Sequence, residues 1–211
     1  MTPIQLTIDR LSSKYSKKLE NSEKNDFSKN LEIIAKQIKQ IENLVNEFSD
    51  FARMPKPILK DNDIILLIDD NINLLKILDQ NIDIKFHSNK KRAMFNSDYE
   101  QLSRVFFNLI KNSIESIQEK ALQAKNLKGN INIEIIDNND YMELSVVDNG
   151  MGFVNIKDNI KNILNPYFTT KKKGVGLGLA IVNKIINDHN GSIKFIRLDN
   201  GAKIQILFKR K

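Results

Sequence analysis

Between Leu31 and Ala52 the apolar residues fall at Leu31, Ile34, Ile38, Ile41, Val45, Phe48 and Ala52. Alternating spacings of three and four are those of an a/d seam, so this stretch predicts a helix of a coiled coil or bundle. Ser28 is placed to cap it. Upstream, Ile4, Ile8, Leu11 and Tyr15 repeat with similar spacing, and Pro3 sits where a first helical turn tolerates proline. The polar run from Glu20 to Asp26 is expected to separate the two helices. So narrow a seam buries little alone. Completion as a dimeric four-helix bundle is expected, with packing of the seam on the rest of the chain as the alternative.

Met54-Pro55-Lys56-Pro57 ends this hairpin, because proline blocks helix continuation and drives its predecessor to extended geometry. The boundary divides the chain into residues 1–54 and 55–211. Beyond it, Ile64 to Leu78 reads as a helix, and Ile82, Ile84 and Phe86 alternate as a strand. Ala93 to Phe95 is a short extended piece. A long helix follows from Tyr99 to about Leu122, with Leu102, Val105, Phe106, Leu109, Ile110, Ser113 and Ile117 on one face. Two strands, Ile131 to Ile136 and Met142 to Val147, are joined through Asn138-Asn139. An irregular stretch runs from Asp148 to Gly174, then a helix from Gly178 to Asp188. The last strands, Ser192 to Leu198 and Ala202 to Phe208, turn at Asn200-Gly201, a strong hairpin signal. The order predicts an α+β fold: a two-layer α/β sandwich, a mixed sheet with helices on one face, preceded by the helical hairpin.

Composition narrows the function. With 211 residues, 41% of them hydrophobic and 28% charged, the chain supports one good core and a smaller appendage. No apolar run is long enough to span a bilayer and no apolar signal core opens the chain, so a cytoplasmic location without membrane contact is expected. The absence of cysteine excludes disulfides, thiolate metal sites and cysteine nucleophiles. A net charge of +7 and a pI near 9.4 invite a nucleic-acid partner. The basic residues are scattered among Asp and Glu, however, with a tight interior cluster at Lys171, Lys172 and Lys173. Nucleic acid is therefore not the expected partner.

Three segments carry candidate chemistry. In Phe107-Asn108-Leu109-Ile110-Lys111-Asn112, the two asparagines share a helix face with Lys111 beside them. Amide oxygen suits hard Mg²⁺ and the ammonium suits phosphate; a solvated surface is the alternative. Val146-Val147-Asp148-Asn149-Gly150-Met151-Gly152 ends an apolar strand on a carboxylate that can accept from an exocyclic amine. Its glycines let backbone pass close to a flat ring. Asp-Asn-Gly is equally a good turn sequence, although no alternating strand follows Gly152 at hairpin distance. Finally, Lys173-Gly174-Val175-Gly176-Leu177-Gly178 opens a helix with unshielded N–H groups, a phosphate cradle or simply a glycine-rich entry. It lacks the ending of a P-loop and the glycine spacing of a dinucleotide fingerprint.

In this order, the segments resemble the nucleotide-binding boxes of histidine kinases, part of the ATPase class shared with DNA gyrase, a heat-shock chaperone and MutL. Asn108 and Asn112 look like the N box, and Asp148, Gly150 and Gly152 the G1 box. Pro166-Tyr167-Phe168-Thr169-Thr170-Lys171 looks like the F box, and Gly174, Gly176 and Gly178 the G2 box. The resemblance implies ATP and Mg²⁺ as cofactors. It assigns Asp148 to the adenine amine and Asn112 to the metal. Lys111, Lys171 and the backbone of Gly176, Leu177 and Gly178 go to the phosphates, while Asn108, Gly150, Gly152, Thr169 and Gly174 complete the binding set. The stretch between Gly152 and Gly174 would form a mobile lid.

The hairpin is similar to the dimerisation and phosphotransfer bundle of NtrY-like nitrogen-regulation sensors, through Thr2-Pro3-Ile4-Gln5-Leu6 and Asn46-Glu47-Phe48-Ser49-Asp50-Phe51-Ala52-Arg53-Met54-Pro55. In that family the box with the phosphorylated histidine would lie just before Thr2. The two histidines here, His87 and His189, fall in a strand and at a helix end. The expected function is thus an ATP-dependent histidine kinase module with no catalytic residue of its own at the acceptor position. Its histidine would come from a separate sensor half, and a response regulator would follow. The alternative is a nucleotide-binding, dimerising module without kinase activity. A serine kinase of the anti-sigma type is disfavoured by the hairpin, and the gyrase and chaperone branch by the short lid.

Overall fold

Pro55 divides the chain into two units, Met1–Met54 and Pro55–Lys211. The structure, a computed structural model, describes residues 3–15, 21–77, 79–124, 127–153, 160–169, 171 and 176–210. In the first unit α1 (Pro3–Tyr15) packs on α2 (Asn21–Ala52). Pro3 opens α1, where its missing N–H costs nothing. Helix α2 starts at Asn21, so Asn21 to Asp26 is helical and Ser28 lies inside the helix instead of capping it. The polar run was expected to break the helix, but it holds strong helix formers such as Glu23 and Lys24. Polarity marks a solvated helix face as readily as a loop. Ile8 and Leu31 are buried, whereas Ile34, Ile41 and Val45 of the seam stay between 46% and 59% exposed. Among the described residues no helix is long and apolar enough to cross a membrane.

The second unit is the mixed α+β sandwich. Its main sheet has the order β2 (Ile82–Ser88), β4 (Gly129–Asp137), β5 (Tyr141–Asp148), β7 (Ala202–Lys209), β6 (Gly191–Arg197). Only β2 and β4 run parallel. Burial alternates along β4 and β7, so Ile131, Ile133 and Ile135 and then Ile204, Ile206 and Phe208 form one core-facing layer. Helices α3 (Ile64–Leu75), α4 (Tyr99–Ala121) and α5 (Gly178–Asp188) pack on the sheet and on one another. A second ladder joins β1 (Lys60–Asp63) to β3 (Met94–Ser97). Strand β1 reads Lys-Asp-Asn-Asp, with no apolar alternation to predict it.

Asp98 shows how sequence sets a helix start. One carboxylate oxygen accepts from the Gln101 N–H at 3.0 Å as the N-cap of α4. The other accepts from the Ile58 N–H at 2.9 Å and ties the chain after Pro57 to the helix. Asp98→Ala is expected to lower the unfolding free energy by about 2 kcal/mol, from a lost cap and a second lost bond. A urea midpoint equal to wild type would show that water replaces both bonds.

Candidate functional site

Strand β5 ends its inner row on a carboxylate. Met142, Leu144 and Val146 face the helices, and the same alternation puts Asp148 among them at 6% exposure. Its Oδ1 accepts from the Gly150 N–H at 2.9 Å and its Oδ2 from the Ser113 hydroxyl at 3.1 Å. Burial pushes its pKa above the 3.8 of an ordinary aspartate, while the Gly150 amide, the Ser113 hydroxyl and the Lys120 ammonium pull the other way. Asp137 ends the inner row of β4 at the opposite end of the sheet. There, however, Arg210 at 2.6 Å and Lys90 at 3.2 Å balance the charge. A buried acid clamped by two cations is structural; one left short of countercharge beside a turn is a site candidate.

Helix α4 is the spine of the site. Ser113, Ser116 and Lys120, spaced three and four, face the turn after Asp148. The Met151 N–H donates to the Ser116 hydroxyl at 3.0 Å, and Lys120 Nζ donates to the carbonyls of Asn149 at 2.9 Å and Gly150 at 3.0 Å. A Cβ on Gly150 would collide with the Ser116 hydroxyl. Gly150 is therefore required first by the protein's own packing, where the expectation was passage beside a flat ring. Gly152 similarly lies against the Gly201 carbonyl, 2.5 Å from where its Cβ would be.

The neighbouring stripe of α4 carries Asn108, Asn112 and Glu115. Lys171 Nζ donates to Asn112 Oδ1 at 3.1 Å and forms an ion pair with Glu115, which Lys111 approaches to 3.9 Å. Thr169 Oγ1 accepts from the Lys171 N–H at 3.1 Å. Gly178 opens α5 with its Cβ position 3.3 Å from Asn108 Oδ1, and Leu177 before it is fully buried. Gly176, at φ +75°, runs against the backbone of Tyr167 and Phe168. Asp148 and Gly150 thus meet the C-terminal half of α4, Gly152 meets Gly201, Lys171 meets the middle of α4, and the start of α5 meets Asn108. Gly174 lies outside the described residues, as do residues 154–159, 170, 172 and 173 of the expected lid. Ser116, Lys120 and Glu115 are not singled out by the sequence, which places Ser113 only on the apolar face of the helix. Their spacing beside the apolar stripe was the available signal.

Among the described residues no group of three or more His, Cys, Asp or Glu converges as a metal site. A cation at Asn112 would draw most ligands from phosphate and water, as Mg²⁺ does. His189 is buried, its Nε2 accepting from the Asp98 N–H at 3.0 Å and its Nδ1 lying 2.8 Å from the Ile185 carbonyl. Since a carbonyl only accepts, the proton sits on Nδ1 and both ring nitrogens are committed to joining α5 to the start of α4. His87 is exposed on β2.

A sandwich with a buried strand-end aspartate, an asparagine-bearing helix and a glycine-led helix defines a class of protein. Residues 97–211 match the family described as histidine kinase-, DNA gyrase B- and HSP90-like ATPase, and the chain belongs to it. Within that class, the chain is 35% identical over its whole length to a sensor histidine kinase named NtrY-like from Rickettsia felis, of which it spans 34%. The catalytic domain of histidine kinase ThkA is 28% identical, with a TM-score of 0.58 over 72% of this chain and 95% of that one. ThkA in complex with the response regulator TrrA, at 24% identity, shares the fold with a TM-score of 0.69 over 100% of this chain and 58% of that one. Membership of this ATPase family implies ATP as the ligand.

Proposed function

We propose that this chain is the ATP-binding catalytic module of a two-component sensor histidine kinase, passing the γ-phosphate of ATP to a histidine supplied in trans. The observation that carries the reading is Asp148, a buried acid with lone pairs to spare, facing the same helix that holds Asn112 and Lys171. On this reading Asp148 accepts from the adenine amine. Lys111, Thr169, Lys171 and the backbone of Gly174, Gly176, Leu177 and Gly178 hold the phosphates. Asn112, with Asn108 beside it, completes the metal end; Mg²⁺ bound there would neutralise charge on the β- and γ-phosphates. Lys171 must leave Asn112 Oδ1 for the cation to bind, so nucleotide binding rearranges the lysine as well as the ligand.

Residues 1–54 would serve as a dimerisation and phosphotransfer hairpin, with Ile34, Ile41 and Val45 meeting a second copy or the histidine-bearing helices of a separate sensor half. A response regulator, such as the partner bound by ThkA, would then receive the phosphate. The test mixes the protein with radiolabelled ATP, Mg²⁺ and a helical fragment bearing the acceptor histidine. Acid-labile, base-stable label is expected on the fragment and not on this chain. ATP binding with no transfer to any histidine-bearing partner would leave the non-catalytic nucleotide-binding and dimerising module as the function.

The raised pKa of Asp148 gives this reading a pH signature. Only the ionised carboxylate accepts from the amine with both oxygens, and its proton returns at a higher pH than for an ordinary aspartate. Affinity for adenosine, which has no phosphate to titrate, should therefore fall on acidification from neutral before pH reaches 3.8. A flat profile across that range would remove Asp148 from the base contact.

A further inference from the structure

The turn that presents Asp148 is held from three sides, and only one holder carries a charge. Asn149 fastens it to β4, its Oδ1 accepting from the Asn130 N–H at 2.9 Å and its amide donating to the Lys128 carbonyl at 2.8 Å. Ser113 and Ser116 fasten it to the middle of α4. The third holder is Lys120, in the last turn of α4. Its ammonium donates to the Asn149 and Gly150 carbonyls and also to the Asn200 side-chain oxygen in the β6–β7 hairpin turn. Three donors thus meet three acceptors, the full capacity of a lysine. The hairpin needs this closeness, because Gly201, at φ +106°, lies directly against the Asp148 carbonyl.

We propose that Lys120 is a positioning residue for the base end of the nucleotide site, fastening the Asp148 turn to the Asn200-Gly201 hairpin so that the carboxylate meets an adenine amine in fixed geometry. The inference rests on the nucleotide reading of Asp148 and adds a residue from none of the four boxes. Lys120 touches neither Asp148 nor, on this reading, the ligand; it acts through the backbone of Asn149 and Gly150. Its positive charge also favours the ionised carboxylate, in opposition to burial. The C-terminal turn of a helix is a favourable place for that charge. Losing the ammonium frees two carbonyls to reach for water and lets the hairpin turn part from the loop.

The test compares the full 211-residue protein with Lys120→Met, Lys120→Arg and Asn200→Ala. Affinity is measured for ATP with Mg²⁺ by calorimetry and for adenosine by amide chemical-shift titration. Lys120→Met should weaken both ligands by the same factor, about tenfold, the scale of one charge-assisted hydrogen bond. Lys120→Arg should restore part of the loss, and Asn200→Ala should show a loss of about threefold, again equal for both ligands, as expected when only the solvent-exposed one of the three Lys120 bonds is removed. The Asn200 variant leaves the helix untouched, so it decides the matter if Lys120→Met fails to fold. Unchanged adenosine affinity in both variants, or a loss confined to ATP, would overturn the positioning role. A wild-type protein that binds neither ligand would instead overturn the nucleotide reading, and the role of Lys120 with it.

Discussion

Replacing Asp148 by asparagine is expected to weaken ATP binding about a hundredfold while leaving the folded protein at least as stable as wild type. Both halves follow from one geometry. The asparagine oxygen can keep the Gly150 N–H and its amide can donate to Ser113, so the turn survives. That amide then faces the exocyclic amine, donor against donor. Stability follows from the direction of the pKa shift. A carboxyl whose folded pKa lies above its unfolded value favours folding at low pH, and that contribution is lost as pH rises through the folded pKa. At neutral pH the buried charge therefore works against folding, and the neutral amide removes the cost. Calorimetry with ATP and a thermal melt read both quantities. Undiminished affinity would return Asp148 to a simple strand-end turn; a melt well below wild type would mean that the charge holds the fold together.

Gly201→Ala should be the most damaging small substitution in the hairpin, costing about 3 kcal/mol of unfolding free energy. At φ +106° any L side chain is strained, and here the new methyl also lands on the Asp148 carbonyl. Neither strand can retreat easily, because Asp148 pairs with Ala202 at the end of the β5–β7 ladder. The displaced turn should carry Asp148 with it, so adenosine affinity should fall together with the urea midpoint. A loss below about 0.5 kcal/mol, the level of an ordinary surface change, would show that the hairpin yields without moving the carboxylate.

Much of the architecture was readable because its helices and strands carry clean periods. Helix α5 begins and ends where the apolar pattern does, at Gly178 and Asp188, and α4 stops within a residue of the expected end. Strand β1 was invisible because Lys60 to Asp63 offers no apolar position, only a backbone ladder to β3. The start of helix α2 was not legible because solvated helix and loop look alike in a polar run. At the site, Asp148 was legible as an acid closing the row Met142, Leu144, Val146. Lys120 was not. A lysine near a helix end is ordinary in sequence, and its three acceptors come from segments that only the folded sheet brings near it.

Helix α4 carries Asn108 and Asn112 on one stripe and Ser113, Ser116 and Lys120 on the next. One extra residue inserted between Asn112 and Ser113 would rotate everything downstream by about 100°. Ser116 and Lys120 would swing off the loop after β5 while the asparagines stayed in place, leaving the two ends of the ligand out of phase. Between Asn108 and Lys120 the length of the chain is accordingly as fixed as the side chains it spaces.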